Sequence, residues 1–522
     1  DGNGTGGDDF VRNFEIASGV VPTISVDDVS VIEGDVGTTD ATFTISLSKD
    51  IYRPGQFPLN LKRVKGFHPD RIIKNNPPLK NLFEARQSIS EAEARDVAPF
   101  EVSERLKDWP ELLSSLETKQ RKPKESKAKA QPPKALDNIL KIVSLPEGSS
   151  KTSTGSGSLI SQIDATLQGI LATIFSNDAF RNLESVWQGL TFLTKQAAVA
   201  GDIDISLFPV SLPALEESLV KLQDILILNP PSLMIIDFPF DSSPRSLALL
   251  EKIADFSDLL LTAALGWISP RFLHLEDWEE LKKIPYLPHY LEEQTFAKWR
   301  RLRESSPARW LTLTCNRFLV RYPYGPDNRP ASVYFEESGH PWVSPVWAMA
   351  SLIGQSLGRT GWPTRFTEWS KVRLENLALH TGENLKQIPT EVSLPEERIH
   401  QFVKAGITPL ASIHNQDTAF TPAEATVAGG SLSYQLLVSR IIHLILWAKD
   451  SLHEDLSPED LAGYIREALT LFWEKTGQKA PDLLEVSASK PDPEKPATVK
   501  IMIAPCRQIL PSGEKVVLEF PW

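Results

Sequence analysis

Apolar and polar positions alternate with two different periods along this chain, and the change of period is sharpest at residues 294–325, QTFAKWRRLRESSPARWLTLTCNRFLVRYPYG. Lys298, Arg300, Arg301 and Arg303 surround Trp299 at helical spacing, and Ser305-Ser306-Pro307 interrupts the pattern. Residues 310–322 then run on as aliphatic, aromatic and β-branched side chains into Tyr322-Pro323-Tyr324-Gly325. This predicts helix, turn, buried strand, turn. Upstream, residues 23–48 alternate like two strands about a Gly-rich turn. Residues 57–64 carry a strand signal, and residues 79–89 form an amphipathic helix pattern. Residues 158–200 predict two helices, the second with Phe180, Leu183, Trp187 and Leu190 on one face. A strand is expected over 202–209, a helix over 212–226 and an apolar strand over 232–236. That strand ends at Asp237, for which a cap or turn role is expected. Residues 244–283 read helix, strand, turn, helix. Gly361-Trp362 is a natural stop for a helix beginning near Trp347. A helix follows over 432–449, and strands over 498–504 and 515–520 flank the Pro511-Ser512-Gly513 turn.

Composition divides the chain further. Residues 1–22 are Gly/Asp-rich and read as a linker, 23–50 form the β fragment, and 51–116 carry the next strand and helix. Residues 117–157 are a basic, then Ser/Gly-rich, linker enclosing a short helix at 135–143, with Leu136, Ile139, Leu140 and Val143 at helical spacing. Residues 158–265 and 266–522 are the two large segments. A length of 522 residues fits roughly three or four domains. The net charge of −12 argues against a general nucleic-acid coat. The basic stretch 117–134 has seven Lys/Arg against two Glu but no aromatic residue for base stacking. The two cysteines, Cys315 and Cys506, support neither a disulfide framework nor a zinc knuckle. Apolar runs such as 259–268 are too short to cross a bilayer, and no signal peptide opens the chain. The chain starts at Asp1 without Met, as a fragment would.

Candidate chemistry is sparse. Asp1, Asn3, Thr5 and Gly6 fall at EF-hand spacing, but Arg12 stands where a bidentate Glu is needed. The stretch GSSKTS at 148–153 lacks the Gly-Lys pair and upstream Gly of a phosphate loop. His68 is expected to be structural in a turn, and Arg86 and Arg95 to lie on a solvated face. Ser439, Arg440 and His443 cluster on one helix, yet no acid orients the histidine and no oxyanion hole is visible. Arg440 beside His443 is expected to disfavour the imidazolium. No HExxH, GxSxG, GxGxxG or Walker A pattern occurs. Catalytic, cofactor and metal sites are therefore all read as none.

Several of these stretches together resemble the large sheath subunit of bacterial type VI secretion systems. The match rests on "F-x-x-L-E-x-x-W-x-G-L" (Phe180, Leu183, Glu184, Trp187, Gly189, Leu190) and on "KWRxLRES…RFLxRxPYG" (Trp299, Arg300, Arg303, Arg317, Pro323, Tyr324, Gly325). It continues at Gly361-Trp362 and at "V-S-R-x-x-H" (Ser439, Arg440, His443). The resemblance covers residues 136–522, with a first domain at 158–265 and a second at 266–522 carrying the C-terminal strands. Within 51–116, "F-x-P-D-R-I…P-x-L-x-x-L-F-x-x-R" resembles the small sheath subunit. Residues 23–50 resemble the opening of a Calx-β repeat, where Asp27, Asp28 and Glu33 stand at positions that can bind calcium. No further strands of that sandwich follow.

The resemblance implies an α+β fold, with mixed β-sheets flanked by helices and a partial β-hairpin at the N-terminus. It implies a structural protomer, not an enzyme, that assembles as a homo-oligomer into a helical sleeve around an inner tube and contracts to propel it. Terminal strands would complete neighbours' sheets. With its small-subunit-like segment the chain reads as a fused or partly fused protomer; implied partners are the inner tube protein, the baseplate, an AAA+ disassembly ATPase docking on the helix at 135–143 and, if the fusion is only partial, a separate small sheath subunit. Neither nucleic acid nor a membrane span is implied, and the location would be cytoplasmic. The competing readings are an extracellular calcium-dependent adhesion protein, resting on residues 1–48, and a hydrolase using Asp237 or His443.

Overall fold

A computed structural model describes residues 24–32, 40–47, 56–61, 64–95, 104–107, 109, 112, 155–197, 203–382, 385–451, 456–478, 480–489 and 498–522. The candidate docking residues Leu136, Ile139, Leu140 and Val143, and residues 1–22, lie outside them. The fold is α+β. Two compact units emerge, Asp1–Glu184 with Pro323–Gly339, and Ser185–Tyr322 with His340–Trp522.

In the first unit, β1 (Ile24–Ile32), β2 (Asp40–Leu47) and β3 (Gln56–Leu61) form an antiparallel sheet in chain order. The strand expected over 57–64 forms at Gln56–Leu61 and joins the expected hairpin as its third strand, a pairing the sequence reading did not anticipate. Helix α1 (Pro69–Asn75) begins with His68 as N-cap, its Nδ1 accepting from the Asp70 amide at 3.3 Å, and Pro69 at the first helical position needs no donor partner. His68 is therefore a capping residue. Helices α2 (Pro77–Arg95) and α3 (Gly155–Ser176) supply Leu82, Ala85, Ile89, Ile163, Leu167, Ile170 and Ile174 to the core. Arg86 departs from its expected solvated face. It is half-buried on α2 and forks onto Asp164 of α3, its Nε bonding Oδ1 and its Nη2 bonding Oδ2 at 3.2 Å. Among the described residues one stretch, Leu159–Ser176, is long and apolar enough to cross a membrane, contrary to the run-length expectation. Its buried positions recur at helical spacing, and Asp164 on the same helix is ion-paired, the pattern of a core helix.

The loop Pro323–Gly339 folds into this unit. Tyr324 and Phe335 pack on Phe175, with ring centroids at 5.3 and 5.2 Å. Asp70 accepts from the amides of Ser332 (2.9 Å) and Ala331 (3.3 Å) and from the Ser332 hydroxyl. These bonds outweigh the cost of partial burial and hold the Asp70 carboxyl below its usual pKa.

The second unit is built on a four-stranded parallel sheet. Strands β4 (Met234–Phe240), β5 (Ala264–Ile268), β6 (Leu311–Cys315) and β7 (Ile407–Pro409) lie in the order β7-β6-β5-β4. Every residue of the two central strands, β5 and β6, is buried, so they read as continuous apolar runs. Helices α4 (Asp178–Ala197), which begins in the first unit, α5 (Leu215–Leu226), α6 (Pro244–Leu260), α7 (Ala297–Glu304), α8 (Pro345–Thr360) and α9 (Glu396–Lys404) accompany the sheet. Beyond them come α10 (Leu432–Ser451), α11 (Pro458–Lys475) and an antiparallel sheet β8 (Leu483–Ala488), β9 (Thr498–Ala504), β10 (Val516–Pro521). Helix α11 and strand β8 were not anticipated from the sequence.

Three expectations change here. The long strand over 310–322 is broken after Cys315. Asn316 takes a left-handed conformation (φ 74°), and its Nδ2 donates to the carbonyls of Val392 (2.9 Å) and Leu410 (2.8 Å). Residues Phe318–Leu319 then pair separately with Trp342–Val343. The strand expected over 202–209 is not formed, and residues 203–209 are exposed and outside any ladder. Asp237 neither caps nor turns. It lies inside β4, where the register with β5 shifts between Ile235 and Pro239.

Candidate functional site

The motif residues of the second unit gather at four packing nodes. At the first, Asp237 presents its two carboxylate oxygens to two indoles. Trp267 Nε1 donates to Oδ1 at 2.9 Å and Trp347 Nε1 donates to Oδ2 at 2.7 Å. Burial pushes the Asp237 carboxyl pKa up, and the indole donors act against that rise. The Trp347 ring lies over Gly189 of α4, so close that a Cβ on residue 189 would sit 2.3 Å from Trp347 Cδ1. Gly189 is required by this close approach of α4 and α8. Leu190 packs on the same core, Trp187 and Leu183 are half-buried, and Phe180 and Glu184 are buried.

At the second node, Gly361 ends α8 in the left-handed conformation (φ 72°), and its amide bonds Leu357 O. Its carbonyl accepts from Arg440 Nη1 at 2.5 Å. The Arg440 guanidinium lies over Trp362 (4.9 Å) and Phe472 (5.0 Å), so one cation joins α8, α10 and α11. Burial lowers the pKa of this guanidinium.

The third node belongs to the stretch that dominates the sequence. Trp299 and Leu302 are buried under α7. Arg300 donates to the carbonyls of Glu292 and Glu293. Arg303 donates to Val427 O and Lys404 O, both at 3.2 Å, beside the positive-φ turns at Gly406 and Gly429. At the fourth node Arg317 meets Glu391 twice, backbone N to Oε2 at 2.8 Å and Nη2 to Oε1 at 2.7 Å. Pro323, Tyr324 and Gly325 belong instead to the first unit, where the Tyr324 amide donates to Glu337 Oε2 (3.0 Å) and the Gly325 amide to Asn328 O (3.2 Å).

The helix bearing Ser439, Arg440 and His443 does not assemble a nucleophile and base. His443 Nε2 bonds the carbonyl of Leu260 at 3.0 Å, while Ser439 is buried and its Oγ meets no partner among the described residues. The His443 imidazole is indeed pushed toward neutrality. The chief cause is burial, opposed by the bond to Leu260, and not the charge of Arg440 as expected. Among the described residues no group of three or more His, Cys, Asp or Glu is arranged to hold a metal. Sequence reasoning missed Asp237 with Trp267 and Trp347. The tryptophans are the only available signal, because a carboxylate and two indoles on three different elements share no local spacing.

The C-terminal sheet has β8 and β10 at its edges. On β10, Val517 is exposed while Val516 is buried, and Lys449 lies 5.4 Å from the ring of Trp522.

A family model described as EvpB/VC_A0108, tail sheath N-terminal domain, matches residues 157–226 and 228–428, a little over half of the chain. The type VI secretion system sheath protein TssC1 of Pseudomonas aeruginosa is 28% identical over 296 residues, 50% of this chain and 59% of that protein. The chain thus spans under two thirds of the length of this relative. Among solved structures, the baseplate of the anti-feeding prophage aligns over 65% of this chain and 76% of its own, at 10% identity and a TM-score of 0.36. The sheath tail protein Lin1278 of Listeria innocua aligns over 61% of each chain, at 12% identity and a TM-score of 0.33.

Proposed function

The chain belongs to the EvpB/VC_A0108 tail sheath family, and we propose from this premise that it is a structural protomer of a contractile type VI secretion sheath. The family match over 157–226 and 228–428 carries the reading. The protomer polymerises into a helical sleeve around an inner tube and contracts by rigid-body repacking. Its action is mechanical rather than enzymatic. The packing nodes at Asp237, Arg303 and Arg440 support this, since each ties several elements of one unit together and so transmits load. The edge strand β10 of the C-terminal sheet, which pairs on one side only among the described residues, supports strand addition between neighbours. Heterologous contacts of that kind yield open filaments.

The partners in this reading are further copies of the chain, a separate small sheath subunit, the inner tube protein, the baseplate and an AAA+ disassembly ATPase. That ATPase would engage Leu136, Ile139, Leu140 and Val143. The assembly would stand in the cytoplasm. Negative-stain electron microscopy of the purified chain, alone and with a separately expressed small sheath subunit, tests the proposal. Hollow tubules in either sample are expected, and monodisperse particles in both would overturn it.

A further inference from the structure

Three serines lie between the end of β4 and the first turn of α6, and two of them serve the start of that helix. Ser243 Oγ accepts from the Ser246 amide at 3.3 Å, and Ser246 Oγ accepts from the Asp241 amide at 3.0 Å. The third, half-buried Ser242, has its Oγ 3.0 Å from His274 Nε2 instead. His274 follows the adjacent parallel strand β5. It closes the 3-10 turn Pro270–Leu273 in the left-handed conformation (φ 57°), which a residue other than glycine adopts at a cost. Serine and histidine thus meet beyond the carboxyl ends of neighbouring parallel strands, where open α/β sheets place their ligands. The imidazole stacks on Phe296 at 5.0 Å and 29°, and its Nδ1 lies 3.4 Å from the Tyr290 hydroxyl. That hydroxyl has one hydrogen, which it donates to the carbonyl of Leu273 at 3.1 Å. Burial, and then the charge of Glu293, raise the Tyr290 pKa and keep the group a phenol. Toward His274 the phenol oxygen is therefore an acceptor, and Nδ1 carries the ring hydrogen. This leaves Nε2 as a lone pair facing the Ser242 hydroxyl.

We propose that Ser242 is a nucleophile that accepts an acyl group from an activated carboxylic ester, with His274 as its general base and Tyr290 as the positioning residue. Ser242 Oγ bonds to the ester carbonyl carbon as its proton passes to His274 Nε2. The bond from that carbon to the leaving oxygen then breaks, and the imidazolium returns the proton to the leaving alkoxide. The products are an acylated Ser242 and a free alcohol. Helix α6 begins two residues beyond Ser242, and the positive end of its dipole favours negative charge developing near its first turn. A phenol orients the ring but brings no charge to stabilise the imidazolium, as a carboxylate would, so the transfer is slow. An acyl group at this position modifies the protomer and leaves the mechanical role of a sleeve unchanged.

Treatment of the full chain with p-nitrophenyl acetate, read by nitrophenol release and by peptide mass spectrometry, tests this. A burst approaching about one equivalent of nitrophenol per chain is expected, with the acetyl group on Ser242. Ser242→Ala should remove both. His274→Asn takes away the base while asparagine tolerates the left-handed backbone, and it should slow acetylation of Ser242 by about tenfold or more. Tyr290→Phe should slow it severalfold. Nitrogen-15 spectra of the histidine-labelled chain should show the Nδ1–H tautomer at His274 in the parent and its loss in Tyr290→Phe, a change that a merely structural tyrosine would not produce. A fluorophosphonate, which loses fluoride to serine nucleophiles, needs no variant and should mark Ser242 in the parent. Acetylation confined to lysines, no phosphonyl group on Ser242, or equal labelling of Ser242 in a folded His274→Asn chain would each overturn the proposal.

Discussion

A carboxylate shared by two indoles makes the position of Trp347 rigid, and that rigidity decides what a methyl group costs at Gly189. In an unencumbered helix, replacing glycine by alanine gains roughly 1 kcal/mol. Here the added Cβ meets a ring that is itself tethered to Asp237, at a separation no relaxed contact reaches. The clash wins, and Gly189→Ala should lose about 1–3 kcal/mol in urea unfolding. Asp237→Ala leaves two indole donors without an acceptor and should cost about 2–5 kcal/mol. It also frees the Trp347 ring, so the double variant should lose less than the sum of the two; strict additivity would show that the tether does not exist. His443 gives a second test. Its imidazole is held neutral by burial, so its folded pKa lies below the unfolded value of about 6.5. The unfolded chain then binds the extra proton first. Stability from this group is complete above that value and is lost as pH falls toward the folded pKa, below which the loss levels off. The fall in urea midpoint between about pH 7.5 and 5.5 should therefore be larger for the parent than for His443→Gln. Equal falls would mean that the His443 pKa does not differ between the folded and the unfolded chain.

Elements differ in how far the sequence announces them, and the reason is the range of the interactions that make them. Helix α8 and its end at Gly361, helix α10, and strands β9 and β10 were legible because local period and a glycine stop specify them. Strand β6 was legible as apolar but not in length. Its end is set by Asn316 reaching two carbonyls that lie 76 and 94 residues away in the chain. Residues 202–209 have the pattern of a strand, and 203–209 pair with no strand among the described residues, because alternation records a face to be covered and not the neighbour that covers it. The single cation of Arg440 belongs to this scale. It stacks on Trp362, just past the end of α8, and on Phe472 of α11, and bonds the carbonyl of Gly361 that ends α8, where a positive charge suits the helix end. Arg440→Lys keeps the charge but loses the planar stacking on both rings, and should cost on the order of 1–2 kcal/mol in thermal or urea unfolding. A substitution without effect would place the junction of the three helices in apolar packing alone.

At the scale of the molecule, the proposed polymerisation must overcome charge. The chain carries a formal net charge of −12, and a sleeve of many copies brings these charges together. Contacts between like-charged chains are opposed by a field that extends about 10 Å at 0.1 M salt and shrinks as salt rises. If strand addition and apolar burial drive assembly, neither is weakened by salt, so screening removes only the opposition. The critical concentration for tubule formation should then fall severalfold as sodium chloride is raised from about 0.05 to 0.3 M, read by sedimentation of tubules against soluble chain. The alternative makes the opposite forecast. An assembly held by complementary charged patches on successive copies would be weakened by the same salt, and its critical concentration would rise. The two outcomes separate a sleeve joined through its sheet edges and apolar faces from one joined through its charges.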